Sequence, residues 1–287
     1  MTLGFIGLGV MGEPMCRNLA RQCGMPVTGF DLAPAPLERL RAAGVAAASD
    51  AASVMRGTDT VFLSLPSGKE LEAVCVSLLP QARGGQIVVD LGTSPIGLTR
   101  ALAAAFAAKG VRYADAPVAR TRQAAEEGTL SVMVGADAAT FAAIRPHLAC
   151  FASEITHCGA VGAGQIAKIM NNMVLIETVV ALGEALAVAC RAGMDGKVLF
   201  ETLAKGSADS FALRNHGLKA IIPDQFPLRA FSTEYALKDL RYALDLAREE
   251  GFDLPAARNA ERLLEDAIAA GWGALYWPVL SRVIDRG

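Results

Sequence analysis

A chain of 287 residues, 53% of them hydrophobic and 6% aromatic, is long enough to bury one or two cores and too apolar to stay disordered. A formal net charge of −2, with basic residues scattered along the chain, gives no footprint for nucleic acid. Six cysteines without C-x-x-C spacing and three separated histidines (His147, His157, His216) offer neither a disulfide framework nor a metal site, so free thiols in a reducing, cytoplasmic setting are expected.

Residues 1–12 are apolar but lack a basic leader and a cleavage site, so no signal peptide is expected. The run 3–6 reads as a strand. It enters Gly7-Leu8-Gly9-Val10-Met11-Gly12, and a helical period follows over 13–21. G-x-G-x-x-G between a strand and a helix suits a dinucleotide. The first glycine permits the tight turn, the second lets a pyrophosphate approach the backbone, and the third lets helix and strand pack closely. Amides at the helix N-terminus then meet the phosphates. Gly7, Leu8, Gly9, Val10, Met11 and Gly12 are therefore candidate cofactor residues.

A second strand over 26–30 ends in Asp31, about twenty residues past the motif, where a carboxylate can accept from the adenosine ribose and repels a 2′-phosphate. Residues 32–36 contain no Arg, which favours NAD over NADP.

The alternation then repeats. Helical stretches at 38–42, 51–56, 70–79 and 96–109 separate strand-like runs at 45–46, 60–65, 86–89 and 112–114. A run at 130–134, a helix over 138–148 and a run at 153–157 follow. Such alternation predicts a parallel sheet with helices on both faces, whose ligands bind beyond the strand C-termini. Leu65, Pro66 and Thr93 sit in loops of that kind. Past residue 162 nothing reads convincingly as a strand. The expected fold is an α/β Rossmann-type domain over 1–162 and an all-α domain over 163–287. The most apolar long run, 172–190, is interrupted by Glu177 and Glu184, which favours a buried helix over a membrane span.

Between the two halves lies Gly162-Ala163-Gly164-Gln165-Ile166-Ala167-Lys168-Ile169-Met170-Asn171-Asn172. Gln165, Lys168 and Asn172 fall at i, i+3 and i+7 and share one helix face. That face carries one amine able to move a proton and two amides able to hold a polar ligand. On spacing alone, a solvated polar face explains it as well.

Taken together, these motifs resemble the β-hydroxyacid dehydrogenase family, which includes 3-hydroxyisobutyrate dehydrogenase and, more distantly, 6-phosphogluconate dehydrogenase. The resemblance covers essentially the whole chain. It rests on Gly4-Phe5-Ile6 with the glycine motif, residues 162–172, and Lys238-Asp239-Leu240. It implies that Lys168 is catalytic, that Asn172 binds substrate beside Gln165, that Lys238 reaches the nicotinamide end of the cofactor, and that Pro66 and Thr93 line the dinucleotide. Family members are dimers or tetramers, so a homodimer or homotetramer is expected.

The family's substrate loop usually reads Asp-Ala-Pro-Val-Ser-Gly-Gly. Here Asp115-Ala116-Pro117-Val118 is followed by Ala119-Arg120-Thr121-Arg122. Arg120 replaces small size with a cationic fork that suits an oxyanion, and Thr121 adds a hydroxyl. A similar Arg-Thr loop occurs in members resembling sulfolactaldehyde reductase, whose substrate carries a sulfonate. Solvent, or Glu126 and Glu127, could equally take Arg120 and Arg122. The expected substrate is a small anionic β-hydroxy acid or aldehyde, with no nucleic-acid or membrane partner. Two alternatives compete. Imine reductases share this layout but usually replace the catalytic lysine. A non-catalytic dinucleotide-binding protein has no need of Lys168.

Overall fold

The computed structural model describes residues 1–228 and 230–284. The chain forms two compact units, Met1–Lys168 and Ile169–Gly287, which divide inside a helix and not at residue 162.

In the first unit, β1 (Leu3–Ile6), β2 (Val27–Phe30), β3 (Ala46–Ala47), β4 (Thr60–Leu63), β5 (Ile87–Asp90) and β6 (Arg112–Asp115) run parallel in the order β3-β2-β1-β4-β5-β6. Crossovers are made by α1 (Gly12–Gln22), α2 (Pro34–Arg41), α3 (Ala51–Gly57), α4 (Gly68–Leu78) and α5 (Ile96–Ala107). β1, β4 and β5 are buried at every position, as strands covered on both faces must be. Their side chains alternate between two cores. Phe5, Phe62, Ile87 and Val89 enter one with Met15 and Leu19 of α1. Ile6, Val61, Leu63 and Val88 enter the other with Leu102 and Phe106 of α5. The strand order reverses between β1 and β4, so the loops leaving those two strands flank the switch-point crevice.

The expected parallel sheet is present from β3 to β6, and beyond β6 the strand direction changes. After β6 the chain doubles back through β7 (Val118–Ala119) and a short helix, α6 (Arg122–Glu127), into β8 (Leu130–Gly135). β8 runs antiparallel to β6 and β7, and β9 (Ala152–Gly159) lies parallel to β8 after α7 (Ala138–Leu148). A parallel return beside β7 needs a connection of about a dozen or more residues, and the link from β7 to β8 spans only residues 120–129.

α8 (Ala163–Arg191) starts in the first unit and continues into the second. By length and composition alone it could cross a membrane. Its Ile176, Val179, Val180 and Leu182 instead join the core of the helical unit. There they pack with residues from α9 (Gly196–Leu203), a π-helical stretch (Leu213–Ile221), α10 (Thr233–Glu249) and α11 (Pro255–Ala267), and with Trp277 and Leu280 ahead of α12 (Ser281–Ile284). Asp195 and Ser232 cap α9 and α10 by accepting backbone N–H bonds. Among the described residues, the one strand-like pairing in this unit is a bridge between Ser232 and Tyr276.

Candidate active site

The glycine motif lies between β1 and α1, and each glycine has its own reason. Gly7 adopts φ 90°, and a side chain there would run into the Ser64 carbonyl. A side chain at Gly12 would strike the Gly7 carbonyl. Gly9 differs, because a Cβ there would meet nothing within 4 Å. Open space at Gly9 and an α1 start without a side-chain cap suit a diphosphate, because nothing there blocks its approach to the backbone, although the Glu13 N–H is already donated to the Gly9 carbonyl and Pro14 has none. Val10 beside it is half exposed. Leu8 is buried, and its N–H donates to Asp31 Oδ2 at 2.6 Å, while the Ala33 N–H donates to Asp31 Oδ1 at 2.8 Å. Asp31 thus fastens the glycine loop to the end of β2 and forms a local turn. A carboxylate has about four acceptor positions, so both oxygens can still accept ribose hydroxyls. The residues present fit a dinucleotide.

Leu65 and exposed Pro66 follow β4, and half-buried Thr93 follows β5, all beyond the C-terminal edge of the parallel strands. The Thr93 loop is held by Asp90 at the tip of β5. Its Oδ1 accepts the Gly92 N–H at 2.9 Å and its Oδ2 accepts the Ser94 hydroxyl at 3.0 Å. Gln165 joins this loop from α8. Its Oε1 accepts the Ser94 N–H at 3.0 Å, and its Nε2 donates to the Gly92 carbonyl at 2.9 Å and to Asp90 Oδ2 at 3.3 Å. Fully buried, with both amide ends engaged, Gln165 has no donor left for a substrate. Its amide forms a structural bridge, so any substrate contact of the expected kind falls to the remaining lone pair of Oε1. Spacing had placed Gln165 on the Lys168 face, but its partners come from more than seventy residues earlier.

Asp115, at the tip of β6, is fully buried and takes the first turn of α8. Its Oδ1 accepts the Gly162 N–H at 2.7 Å and its Oδ2 accepts the Gln165 N–H at 2.8 Å. Burial pushes its carboxyl above the usual carboxylate range, against the opposing pull of these N–H bonds. Lys168 lies one turn further along α8 and is half-buried.

In the substrate-loop region Arg120 is exposed and adopts φ 86°, a left-handed conformation at the position where the family pattern has glycine. Its Nη1 donates to the Thr129 carbonyl at 2.5 Å and to Ser153 Oγ at 2.9 Å. Among the described residues its other guanidinium nitrogens have no partner. Thr121 caps α6 by accepting the Ala124 N–H at 3.3 Å. Arg122 pairs with Glu126 at 2.9 Å and Gln123 donates to Glu127, so Arg120 is the loop arginine with donors to offer.

In the helical unit, Asn172 Nδ2 donates to Asp239 Oδ2 at 2.7 Å, and both residues are nearly fully buried. Lys238 Nζ lies 2.9 Å from Asp239 Oδ1, and its ammonium sits 5.4 Å and 5.0 Å from the ring centres of Tyr235 and Tyr242. Asp239 is the functional-site residue that sequence reasoning missed. It stood inside the Lys-Asp-Leu motif, but only Lys238 received a role. An acid next to a lysine on an amphipathic helix was the available signal.

Residues 2–159 match the family described as the NAD binding domain of 6-phosphogluconate dehydrogenase. Residues 162–275 match the one described as NAD-binding of NADP-dependent 3-hydroxyisobutyrate dehydrogenase. Among similar proteins, 2-(hydroxymethyl)glutarate dehydrogenase of Eubacterium barkeri is 35% identical over 95% of this chain and 91% of its own. The NAD-dependent L-serine dehydrogenase of Pseudomonas aeruginosa is 30% identical over 99% and 97%. The structure of Mycobacterium tuberculosis 3-hydroxyisobutyrate dehydrogenase with L-serine superposes with a TM-score of 0.91 at 32% identity, covering 99% of this chain and 98% of that one. Fold and glycine loop together define a dinucleotide-dependent oxidoreductase. The chain belongs to the β-hydroxyacid dehydrogenase family. Its members are NAD(P)-dependent dehydrogenases acting on CH–OH groups, and this chain is one of them.

Proposed function

We propose that this enzyme interconverts a small β-hydroxy acid and its semialdehyde, with Lys168 as the group that moves the proton. The observation that carries the reading is the placement of Lys168. It stands one turn past Gln165, which is bonded to the loop of Thr93 at the ligand-binding edge of the sheet. The relatives named for 3-hydroxyisobutyrate, 2-(hydroxymethyl)glutarate and L-serine act on compounds that share a hydroxymethyl group on the carbon bearing a carboxylate. We infer the same unit in the substrate here.

A bound nicotinamide dinucleotide supplies the hydride acceptor. In the oxidising direction Lys168, as the neutral amine, takes the proton from the substrate hydroxyl. In the reducing direction the ammonium returns it to the carbonyl oxygen. Asn172, aligned by Asp239, holds a polar substrate atom, and the Lys238 ammonium lies beside Asp239 and two tyrosine rings. Asp31 favours NAD over NADP, since a carboxylate opposes a 2′-phosphate. The unengaged donors of Arg120 support a second reading, in which the substrate anion is a sulfonate.

The proposed assembly is a homodimer or homotetramer. Val174, Ala181, Ala185 and Val188 form an exposed, small and apolar line along α8. Six free cysteines support a cytoplasmic location.

The test is a panel of β-hydroxy carboxylic acids and semialdehydes, with their sulfonate counterparts, run with NAD and NADP and followed by absorbance of the reduced nicotinamide. Turnover of a carboxylate with NAD preferred is expected. Preference for a sulfonate selects the second reading, and no turnover of either class overturns both.

A further inference from the structure

Two buried carboxylates at the tips of adjacent strands converge on the start of α8. Asp115 accepts the N–H groups of Gly162 and Gln165. Asp90 accepts from the Gln165 side chain, and Gln165 in turn bridges Gly92 and Ser94 on either side of Thr93. The place was cleared for this. A Cβ at Gly135 would come 2.5 Å from Asp115 Oδ1, and a Cβ at Gly164 would come 2.8 Å from Oδ2. Neither strand nor helix can therefore carry a side chain where the Asp115 carboxylate sits.

Ordinary helix capping does not require so much. Ser, Thr or Asp beside the helix end normally does it, as Asp195 and Ser232 do for α9 and α10. For α8 the cap comes from a strand 47 residues earlier. A cap from a strand fixes the helix against the sheet, both along its axis and in rotation about it. The Gln165 side chain adds a second attachment within the same first turn: an amide that fits one arrangement of two oxygen acceptors and one N–H donor.

We propose that Asp115 and Gln165 are positioning residues for Lys168, setting its amine in register with the Thr93 loop. The inference rests on the catalytic reading of Lys168. Neither residue touches the reacting atoms. They act by removing the freedom of α8 to slide or turn by a fraction of a residue, and a 1 Å misplacement of a catalytic group can cost about 10²-fold in rate.

The experiment is a double-mutant cycle on the full-length enzyme. Asp115→Asn and Gln165→Ala are each made in the parent and in Lys168→Ala, and single-turnover rate, NADH dissociation constant and melting temperature are measured. Lys168→Ala alone tests the underlying reading, and a rate within tenfold of the parent overturns that reading and this inference with it. If Lys168→Ala is slow, the expected result is a rate loss of about ten- to a hundredfold for each positioning variant, with NADH affinity unchanged, and no further loss when combined with Lys168→Ala. Non-additivity is the signature, because a purely structural role slows both backgrounds equally. Equal losses in both backgrounds, or a folded variant with an unchanged rate, overturn the inference while leaving the role of Lys168 intact. Gln165→Ala keeps both Asp115 bonds to the backbone, so the test stands even where Asp115→Asn does not fold.

Discussion

Arg120 is held in a left-handed conformation that costs a residue with a Cβ about 1–2 kcal/mol. Replacing it with glycine relieves that strain while removing the guanidinium. Arg120→Gly should therefore melt at a temperature no lower than the parent, even though its bonds to Thr129 and Ser153 are lost. If the substrate anion sits on the remaining donors, KM for the true substrate rises by one to two decades, equivalent to a charge-assisted bond of about 1.5–3 kcal/mol. Steady-state kinetics and calorimetry on one variant separate the two effects, and an unchanged KM removes Arg120 from substrate binding. The glycine motif offers a cleaner contrast. Gly9→Ala meets open space, so its melting temperature should match the parent while NADH affinity falls. Gly12→Ala collides with the Gly7 carbonyl and should lose stability itself. Equal melting temperatures for the two variants contradict the assignment. Lys168→Ala should lower kcat by about 10²–10⁴-fold, the usual worth of a positioned acid–base group.

At the scale of elements, α8 carries both proposed roles: the amine near its start and the exposed line of Val174, Ala181, Ala185 and Val188 further on. Light scattering should give at least twice the 29.9 kDa of one chain, and Ala181→Glu, which places a charge in that line, should shift the mass toward one chain. A monomeric parent rules out the assembly proposed. The parallel strands, their crossover helices and the glycine turn were readable from sequence, because their causes are local: alternation, helical period, and backbone positions that exclude a Cβ; β7 was not. Neither was α6. Arg122 and Glu126 look like loop charges until Thr121 and Gly128, with φ 73°, are seen to close the two ends of a six-residue helix. Gln165 was placed on the right helix but given the wrong partners, since Asp90, Gly92 and Ser94 are brought to it only by the sheet. The Asn172–Asp239 bond spans 67 residues and was hidden for the same reason.

For the molecule as a whole, the helical unit stores an acid-sensitive group. His216, on the π-helical stretch, is buried beside Phe211, Tyr276 and Trp277, and burial lowers its pKa to about 4. Its Nδ1 lies 2.5 Å from the Tyr276 hydroxyl, whose own pKa burial raises to about 12. A histidine whose native pKa falls below its unfolded value of about 6.5 stays neutral in the fold, while the unfolded chain gains the proton. Its contribution is complete above that unfolded value and is lost as pH falls toward 4, amounting to about 2 kcal/mol by pH 5. Urea unfolding at pH 7.5 and pH 5 should show the loss, and His216→Gln should flatten it. Equal slopes in both proteins contradict the assignment.

Arg120 and Asp115, the anchor of α8, stand close together in one stretch of chain but engage different neighbours. The arginine follows β7 in the turn before α6, with Thr129 and Ser153 as neighbours, whereas Asp115, Gly135 and Gly164 lock the helix at the tips of β6 and β8. If Arg120 reads the substrate and Lys168 moves the proton as proposed, evolution can change the Arg120 turn without disturbing the bonds that hold the start of α8. Related enzymes should diversify their preferred acids there while the cleared carboxylate niche stays frozen.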